Sequence, residues 1–365
     1  MPEGLQLSPG FRRQTDGMES GKAPTARGNL QRVESKPLDS VDFAWSASKP
    51  VVAELLDSVW VPVQFDEGNM AHVTAVDPVT FNNLLFVTDF SSSSEVALPH
   101  AITMAAAYGG KVYIGHVIAP QLYELVPPHF VPEVLKQSTA YARKRMERLD
   151  NEADFGAVPH EVLLEQGELW ETLRHMVDQY AIDVIALGTG GRRGLHEVLM
   201  GSVAEEILRL AHRPVLTVGP QSREVAPEGE PRCILLASDF SVNCIHAAAC
   251  ADSLARKLGA HLISLHVAPE PPEDPQTITR FEEFFSERLR QHLDMTAFPD
   301  GQLEFQVEFG AAGESILKSA TEHAVDLIVM GIRGVGSVTR ATCHLGRNTY
   351  EVVSEARCPV LAVAG

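Results

Sequence analysis

Two patterns of apolar and polar residues alternate along most of the chain. Short runs rich in Val, Ile and Leu are separated by longer segments in which apolar residues recur at helical spacing. The short runs do not alternate cleanly, which is typical of strands that helices cover on both faces. In the first half of the chain we expect strands at about 84–88, 111–118, 158–165, 183–188 and 214–218. We expect helices at about 92–108, 131–153, 168–180 and 201–211.

The same pattern occurs twice. The segment LLFVTDFSSSSEVALPHAITMAAAYGGKVYIGHVIAP at 84–120 matches ILLASDFSVNCIHAAACADSLARKLGAHLISLHVAPE at 234–270. The later segments also match, IDVIALGTGGRRG with VDLIVMGIRGVGS and RPVLTVGP with CPVLAVAG. We therefore predict one domain at 80–219 and a second at 232–365. The Pro- and Glu-rich segment 220–232 is the linker between them.

Alternation of strand and helix predicts the fold class. Five strands joined by helical crossovers in each copy predict two tandem five-stranded parallel, doubly wound, Rossmann-like domains. Helix ends are also marked, since Ser92-Ser-Ser-Glu95 fits a capping box and Gly109 and Gly259 stand where helices should end.

The N-terminal segment and the overall charge narrow the class of protein. Residues 1–75 are predicted to be a mostly disordered tail and arm, because their first half is polar and lacks periodicity. The segment lacks the pattern of a signal peptide, and no apolar run approaches the roughly 20 residues that span a bilayer. A net charge of -18 repels phosphate backbones. We expect a soluble cytoplasmic protein with no nucleic-acid and no membrane partner.

Residue types used in catalysis and metal binding form no known pattern in the sequence. The five cysteines include no CxxC pair, which favours a reducing compartment and structural thiols. His116 and His266 hold matching places at strand ends, where a structural histidine is common. No HxH or HExxH pattern predicts a metal, and no GxSxG pattern predicts a nucleophile. We predict no catalytic residue and no metal ligand.

Glycines are concentrated directly after the fourth predicted strand. Four of them fall within the seven residues GTGGRRG at 188–194. In open α/β sheets, ligands bind beyond the carboxyl ends of the strands, where the strand order reverses. If strands one and four are neighbours, this loop and the Asp-Phe-Ser after strand one border one crevice. Gly188 and Gly191 would then let the backbone pass close to a ligand.

The residues that follow the loop suit a phosphate. Gly201, Ser202 and Val203 begin the next helix, where unpaired amides and the positive helix end favour an anion. The Ser202 hydroxyl adds a donor. Across the crevice, the carboxylate of Asp89 can accept hydrogen bonds from a ribose or a base. Asp89 can equally serve as a cap for the adjoining turn.

These landmarks resemble those of a known family. Gly188-x2-Gly191-x9-Gly201-Ser202 is similar to the ATP-binding motif of the universal stress protein family, and the Asp-Phe-Ser, His-Val and Pro-Val-Leu segments resemble that family too. The resemblance implies a five-stranded α/β fold that binds ATP or a related adenine nucleotide, with any Mg²⁺ arriving on the nucleotide.

The resemblance also implies particular contacts. Asp89 and Val117 would line the nucleoside pocket. The family forms dimers through its last strand, here 214–218, and the matching strand of the second copy is 359–363. The chain is expected to form either an intramolecular pseudo-dimer or a homodimer.

The second copy departs from this motif. It keeps Asp239, Gly331 and Gly334, but its loop is two residues longer if the copies are aligned from the closing Pro-Val-Leu. Gly346 then matches Gly201, and Arg347 replaces Ser202. Arg347 either clamps a phosphate or fills the site and blocks it, and we expect a weakened or altered second site.

Three hypotheses for function follow. The first is a nucleotide-binding regulatory or sensor protein of the stress response. The second is a slow ATP hydrolase or nucleotide-transfer enzyme on the same fold. The third is a scaffold whose sites are vestigial.

Overall fold

A computed structural model of the chain describes residues 79–119, 126–190, 200–225, 229–271, 274–291, 293, 298–299, 301–332 and 345–364. The tail and arm predicted at 1–75 lie outside these described residues.

The first copy alternates strand and helix as predicted. Its strands are β1 (Asn83–Val87), β2 (Lys111–Ile118), β3 (His160–Gln166), β4 (Val184–Gly188) and β5 (Val215–Val218). Its described helices are α1 (Ser92–Glu95), α2 (Ala97–Tyr108), α3 (Val131–Glu152), α4 (Leu169–Gln179) and α5 (Ser202–Leu210).

The second copy repeats the order of the first. Its strands are β6 (Cys233–Ser238), β7 (His261–Ala268), β8 (Leu303–Phe309), β9 (Leu327–Ile332) and β10 (Val360–Ala364). Its described helices are α6 (Val242–Leu258), α7 (Pro275–Gln291), α8 (Ala312–Glu322) and α9 (Arg347–Glu355).

All ten strands form one sheet, in the order β3-β2-β1-β4-β5-β10-β9-β6-β7-β8. Strands are parallel within each copy, and β5 pairs antiparallel with β10 where the copies meet. In that contact Leu216 lies opposite Leu361, and each is the leucine of its copy's Pro-Val-Leu segment. The described chain is thus an intramolecular pseudo-dimer with an approximate two-fold axis at this pair. The predicted fold class is confirmed.

Helices pack on both faces of the sheet, as the continuous apolar runs predicted. Along β1, Leu84 and Phe86 belong to one buried cluster, and Leu85 and Val87 belong to the other. Both clusters include residues of both copies, so the two halves share their cores. Each fully buried Leu, Ile or Phe contributes about 1.5–3 kcal/mol to folding.

The helix predicted at 92–108 is divided in two. A turn at Val96 separates α1 from α2. The physical reason is Pro99, which has no N–H to donate to the carbonyl of Glu95 and so removes one hydrogen bond of a continuous helix. Because the helix is broken at Val96, α1 can take a direction different from that of α2. Its residues Ser93 and Ser94 lie beside Gly188 at the end of β4.

The predicted capping box is off by one residue. The N-cap of α1 is Ser91, not Ser92, and the Ser91 hydroxyl accepts the amide of Ser94 at 3.1 Å. Glu95, which a capping box would turn back on the helix, instead forms an ion pair with Arg145 at 2.6 Å. The predicted glycine ends of the two long helices are confirmed, since the C-caps of α2 and α6 are both left-handed glycines.

Candidate functional site

The candidate site lies at the carboxyl edge of the first copy's strands. Strand β1 pairs with β2 on one side and with β4 on the other, so the strand order reverses between β1 and β4. This confirms that strands one and four are neighbours. Asp89 follows the end of β1, and Gly188 ends β4. The two predicted segments therefore leave the sheet at the same edge.

Asp89 organises the turn after β1. Its Oδ1 accepts the backbone N–H of Ser91 at 2.9 Å, and its side chain is exposed. Burial raises the pKa of Asp89, but hydrogen bonds from Ser91 and Ser94 lower it more, so the pKa lies below its usual value. Asp89 is therefore ionised at neutral pH. The capping role is realised, and contact with a ligand stays a prediction.

Phe90 adopts a left-handed backbone in this turn, with φ of 64°. Such a conformation is uncommon for a bulky residue and needs support from its surroundings. The ring of Phe90 packs on His116, whose Nδ1 lies 2.8 Å from the Thr88 carbonyl. Burial lowers the pKa of His116, so the ring is neutral at pH 7 and donates to that carbonyl through Nδ1–H. Because the second copy repeats these contacts at Phe240 and His266, we assign both histidines a structural role.

Gly188 is required by packing. A Cβ built on Gly188 would collide with the carbonyl oxygen of Ser93 and lie 2.7 Å from the Cα of Ser94. A Cβ on Gly190 would collide with the side chain of Ser93. The backbone of α1 fills the space beside Gly188 and the Ser93 side chain fills that beside Gly190, so packing accounts for both glycines. A contact between Gly188 and a ligand through its backbone stays a prediction.

The ends of the loop after β4 are joined to each other. Gly190 and Met200 form an antiparallel bridge, and the amide of Gly201 donates to the Thr189 carbonyl at 3.2 Å. These bonds fix the start of α5 directly beside the end of β4. The loop between them, 191–199, lies outside the described residues and contains the predicted Gly191.

The first turn of α5 begins at a residue without a side chain. Its N-cap is Gly201, with φ of -65° and ψ of 143°, and among the described residues no side-chain hydrogen bond caps the helix. Ser202 and Val203 in its first turn are exposed. Amides at the start of a helix lack intrahelical acceptors, and the helix dipole makes this end positive. The arrangement suits an anion.

Val117 lies on the same face of the sheet as α5. It is buried in β2 and belongs to the same apolar cluster as Met200 and Ala204. This places an apolar side chain, open helix amides and the ionised Asp89 around the carboxyl edges of β1, β2 and β4. The donors and acceptors of this set fit the parts of a nucleotide.

A model of the universal stress protein family matches residues 80–219 and 231–364. The chain belongs to the universal stress protein family. A universal stress protein of Mycolicibacterium smegmatis is 25% identical over 298 residues, which cover 79% of this chain and 99% of the relative. One from Thermus aquaticus is 39% identical over 140 residues, which cover 36% of this chain and 98% of the relative.

A solved structure shows the same fold. The universal stress protein of Archaeoglobus fulgidus superposes with a TM-score of 0.56 at 22% identity, covering 77% of this chain and 97% of the other. This likeness supports the fold, and the family predicted from the motif is confirmed by the match to the family model. This universal stress protein carries both of its domains in one chain.

The second copy begins its corresponding helix as the alignment predicts. Gly346 is the N-cap of α9, with φ of -57° and ψ of 144°, and the exposed Arg347 is its first residue. Asp239 accepts the Ser241 amide at 2.9 Å, as Asp89 does with Ser91 in the first copy. Gly331 lies within β9. The loop 333–344, with the predicted Gly334, lies outside the described residues.

Sequence reasoning missed three side chains near the turns and the loop. Arg145 of α3 donates to the Phe90 carbonyl at 2.9 Å, which holds the strained turn. Arg288 stacks over Phe240 in the second copy as Arg145 does over Phe90 in the first, and neither arginine lies in the repeated sequence segments. Tyr350 of α9 accepts the Met200 amide at 3.1 Å. The contact between Met200 and Tyr350 could not be predicted, because no local sequence pattern indicates a contact between residues so far apart in the chain.

Concave surface occurs elsewhere in this universal stress protein. A cleft of about 200 Å³ lies where the linker meets both copies, and Thr103, Arg223 and Asp326 are among the residues lining it. None of the predicted site residues lines this cleft. We place the candidate site at the start of α5 instead. The amides there can donate hydrogen bonds to an anion, and the ionised Asp89 at the same sheet edge can accept hydrogen bonds.

The described cysteines are free thiols, and their chemistry is that of structural residues. Burial raises the pKa of Cys233 to about 11 and those of Cys250 and Cys358 to about 12. Burial also raises the pKa of Cys244. These thiols stay protonated and unreactive at neutral pH.

Within the part of the chain that the structure describes, no helix is long and apolar enough to cross a membrane. In the same ranges, no group of three or more His, Cys, Asp or Glu side chains is placed to hold a metal ion.

Proposed function

We propose that the first copy binds an adenine nucleotide, ATP above all, and that the protein acts as a regulatory or sensor protein in the stress response. The observation that carries this proposal is the first turn of α5, which begins at Gly201 with Ser202 and Val203 exposed, at the same sheet edge as the ionised Asp89. A nucleotide site needs hydrogen-bond donors for the phosphates and an acceptor for the sugar. The first amides of α5 supply the donors, and Asp89 supplies the acceptor.

Each residue has a defined part in the proposal. The amides of Ser202 and Val203, with the Ser202 hydroxyl, donate to phosphate oxygens, and the helix dipole favours their charge. Asp89 accepts from ribose hydroxyls, which a carboxylate of lowered pKa does while ionised. Val117 offers apolar surface to the nucleoside. Gly188 and Gly191 allow the loop backbone to approach, and Mg²⁺, where present, arrives with the phosphates.

Family membership is the second support. The spacing Gly188-x2-Gly191-x9-Gly201-Ser202 resembles the motif with which the universal stress protein family binds ATP. The positions of Gly201 as N-cap and Ser202 as first helical residue agree with that use.

The proposal assigns regulation rather than catalysis because the two titratable groups described beside the turn after β1, Asp89 and His116, already hold backbone partners. Asp89 is a weak base with its lowered pKa, and its Oδ1 already accepts an amide. His116 is held by the Thr88 carbonyl. A slow ATP hydrolase or nucleotide-transfer enzyme is the alternative, and steady turnover above the protein-free rate would favour it.

The proposal makes the second copy the weaker site. In the second copy, Arg347 stands where the first copy has Ser202. A long cationic side chain therefore replaces the small hydroxyl donor at the N-terminus of α9. Asp239, Gly331, Gly334, Gly346 and Arg347 are the residues of this altered site.

Matched variants of the two cap glycines test the proposal. Gly201→Trp and Gly346→Trp each place an indole over a helix N-terminus, and both glycines have backbone angles that any residue adopts. We expect Gly346→Trp to keep the wild-type affinity of the tighter ATP site, that of the first copy, in a calorimetric titration. We expect Gly201→Trp to lose at least about tenfold in affinity, the equivalent of about 1.4 kcal/mol. Unchanged binding by Gly201→Trp would contradict the proposed site.

A further inference from the structure

Helix α9 of the second copy reaches the base of the first copy's loop. The amide of Met200 donates to the Tyr350 hydroxyl at 3.1 Å. Next to it, the Thr189 hydroxyl lies 3.5 Å from the Val353 carbonyl. Met200 and Thr189 are buried, with 7% and 1% of their surface exposed. The two ends of the loop are thus both in contact with one helix of the other copy.

Met200 directly precedes the cap of α5. Its bridge with Gly190 and the bond from the Gly201 amide to Thr189 close the loop, and the Tyr350 hydroxyl is a further anchor from outside the copy. The direction of the first amides of α5 follows from where Met200 is held. A binding site gains affinity when its donors are held in place before the ligand arrives.

The Tyr350 hydroxyl also satisfies a buried donor. The Met200 amide lies in a nearly buried residue, and a buried N–H without an acceptor is unfavourable. If the hydroxyl is removed, the Met200 amide must turn toward another acceptor or stay unpaired. The first outcome moves the start of α5 and the second loosens it, while the ring of Tyr350 keeps its packing against the apolar cluster beneath it.

We propose that Tyr350 is a positioning residue for the first copy's nucleotide site, so that the second copy completes the site of the first. The hydroxyl holds Met200, and Met200 holds the amides of Gly201, Ser202 and Val203 in the orientation that binds phosphate. This inference rests on the proposed function. It gives the second copy a role in binding that does not depend on a nucleotide of its own.

Tyr350→Phe is the test variant, because it removes the acceptor and keeps the ring. Thr217→Val is the matched control. The Thr217 hydroxyl donates to the Val360 carbonyl at 3.0 Å, so this control also removes one buried hydrogen bond between the copies. Thr217 lies in β5 and takes no part in the loop closure described above.

Two readouts on the full-length protein separate positioning from stability. The first is amide hydrogen exchange at Met200 and Gly201 without nucleotide, and the second is the dissociation constant for ATP. We expect Tyr350→Phe to exchange faster at these amides and to bind about fivefold more weakly, the effect of losing one hydrogen bond. We expect Thr217→Val to match the wild-type protein in both readouts.

The outcomes distinguish the inference from the proposed function. A wild-type protein that binds no adenine nucleotide overturns the proposed function, and the positioning role with it. A wild-type protein that binds ATP, with Tyr350→Phe equal to it in affinity, overturns the positioning role alone. Unchanged exchange at Met200 in Tyr350→Phe does the same, because the effect must pass through that amide. An equal loss of affinity in Thr217→Val would show that the interface as a whole, and not the hydroxyl, matters.

Discussion

Replacing Gly188 by alanine tests whether this glycine is needed by the fold or by a ligand. The new Cβ would collide with the Ser93 carbonyl and lie 2.7 Å from the Ser94 Cα. Both atoms belong to the backbone of α1, which the Ser91 cap hydrogen bond holds in place. A backbone held in this way does not move aside as a flexible side chain would.

The expected destabilisation follows from this overlap. Inserting a methyl group into a well-packed place costs about 1–3 kcal/mol. Unfolding entropy is about 2.1 cal/mol/K per residue, so for the two domains at 80–219 and 231–364 a loss of 1 kcal/mol lowers the melting temperature by about 2 °C. Gly188→Ala should therefore melt about 2–5 °C below the wild-type protein. Gly219→Ala is the matched control, since the nearest atom to its added Cβ lies at 3.4 Å, an ordinary contact. We expect little change in its stability.

Urea unfolding of the nucleotide-free proteins, followed by circular dichroism, measures the difference in the free energy of unfolding. A thermal scan of the same proteins measures the difference in melting temperature. The account predicts a lower midpoint for Gly188→Ala and a wild-type midpoint for Gly219→Ala. If Gly188→Ala unfolds at the wild-type midpoint and loses only affinity for ATP, then α1 does not pack on β4 as described. The glycine would in that case serve the ligand alone.

Two further predictions concern stability. Burial lowers the pKa of His100, His116 and His266, so protonation favours the unfolded chain and stability falls as the pH drops below 6.5. The urea midpoint should be lower at pH 5 than at pH 7, and equal midpoints would contradict this. Arg145→Ala leaves the Phe90 carbonyl and the Glu95 carboxylate without this partner, and should lower the free energy of unfolding in urea by about 1–2 kcal/mol. Arg148→Ala removes only an exposed ion pair and should leave the urea midpoint unchanged. Equal effects of the two substitutions would refute this role of Arg145.

Much of the fold could be predicted from the sequence because its signals are local and occur twice. Apolar runs separated by helical segments predict parallel strands covered on both faces, and the repeat shows where the second copy begins. The glycine-rich loop after β4 and the Asp-Phe-Ser after β1 predicted which strand ends matter, because parallel strands end at a common edge. A helix start at Gly201, and its counterpart at Gly346, followed from the same comparison, and the structure makes both glycines the N-caps.

Features that depend on three-dimensional neighbours could not be predicted. The glycine at 188 suggested a ligand, while the nearest atoms are those of α1, which only the folded sheet brings there. The contact between Tyr350 and Met200 joins residues of different copies and follows from the antiparallel pairing of β5 with β10. The division of the first helix was in principle readable from Pro99, whose missing N–H outweighs the helical pattern around it.

The most direct test of the central claim is to count the nucleotide that the protein carries. The full-length protein would be purified and heat-denatured, and any released nucleotide identified by chromatography and mass. The account predicts one adenine nucleotide per chain, ATP or ADP, or uptake of one when ATP is added to an empty preparation. A protein that releases no nucleotide and takes up no added ATP would contradict the account.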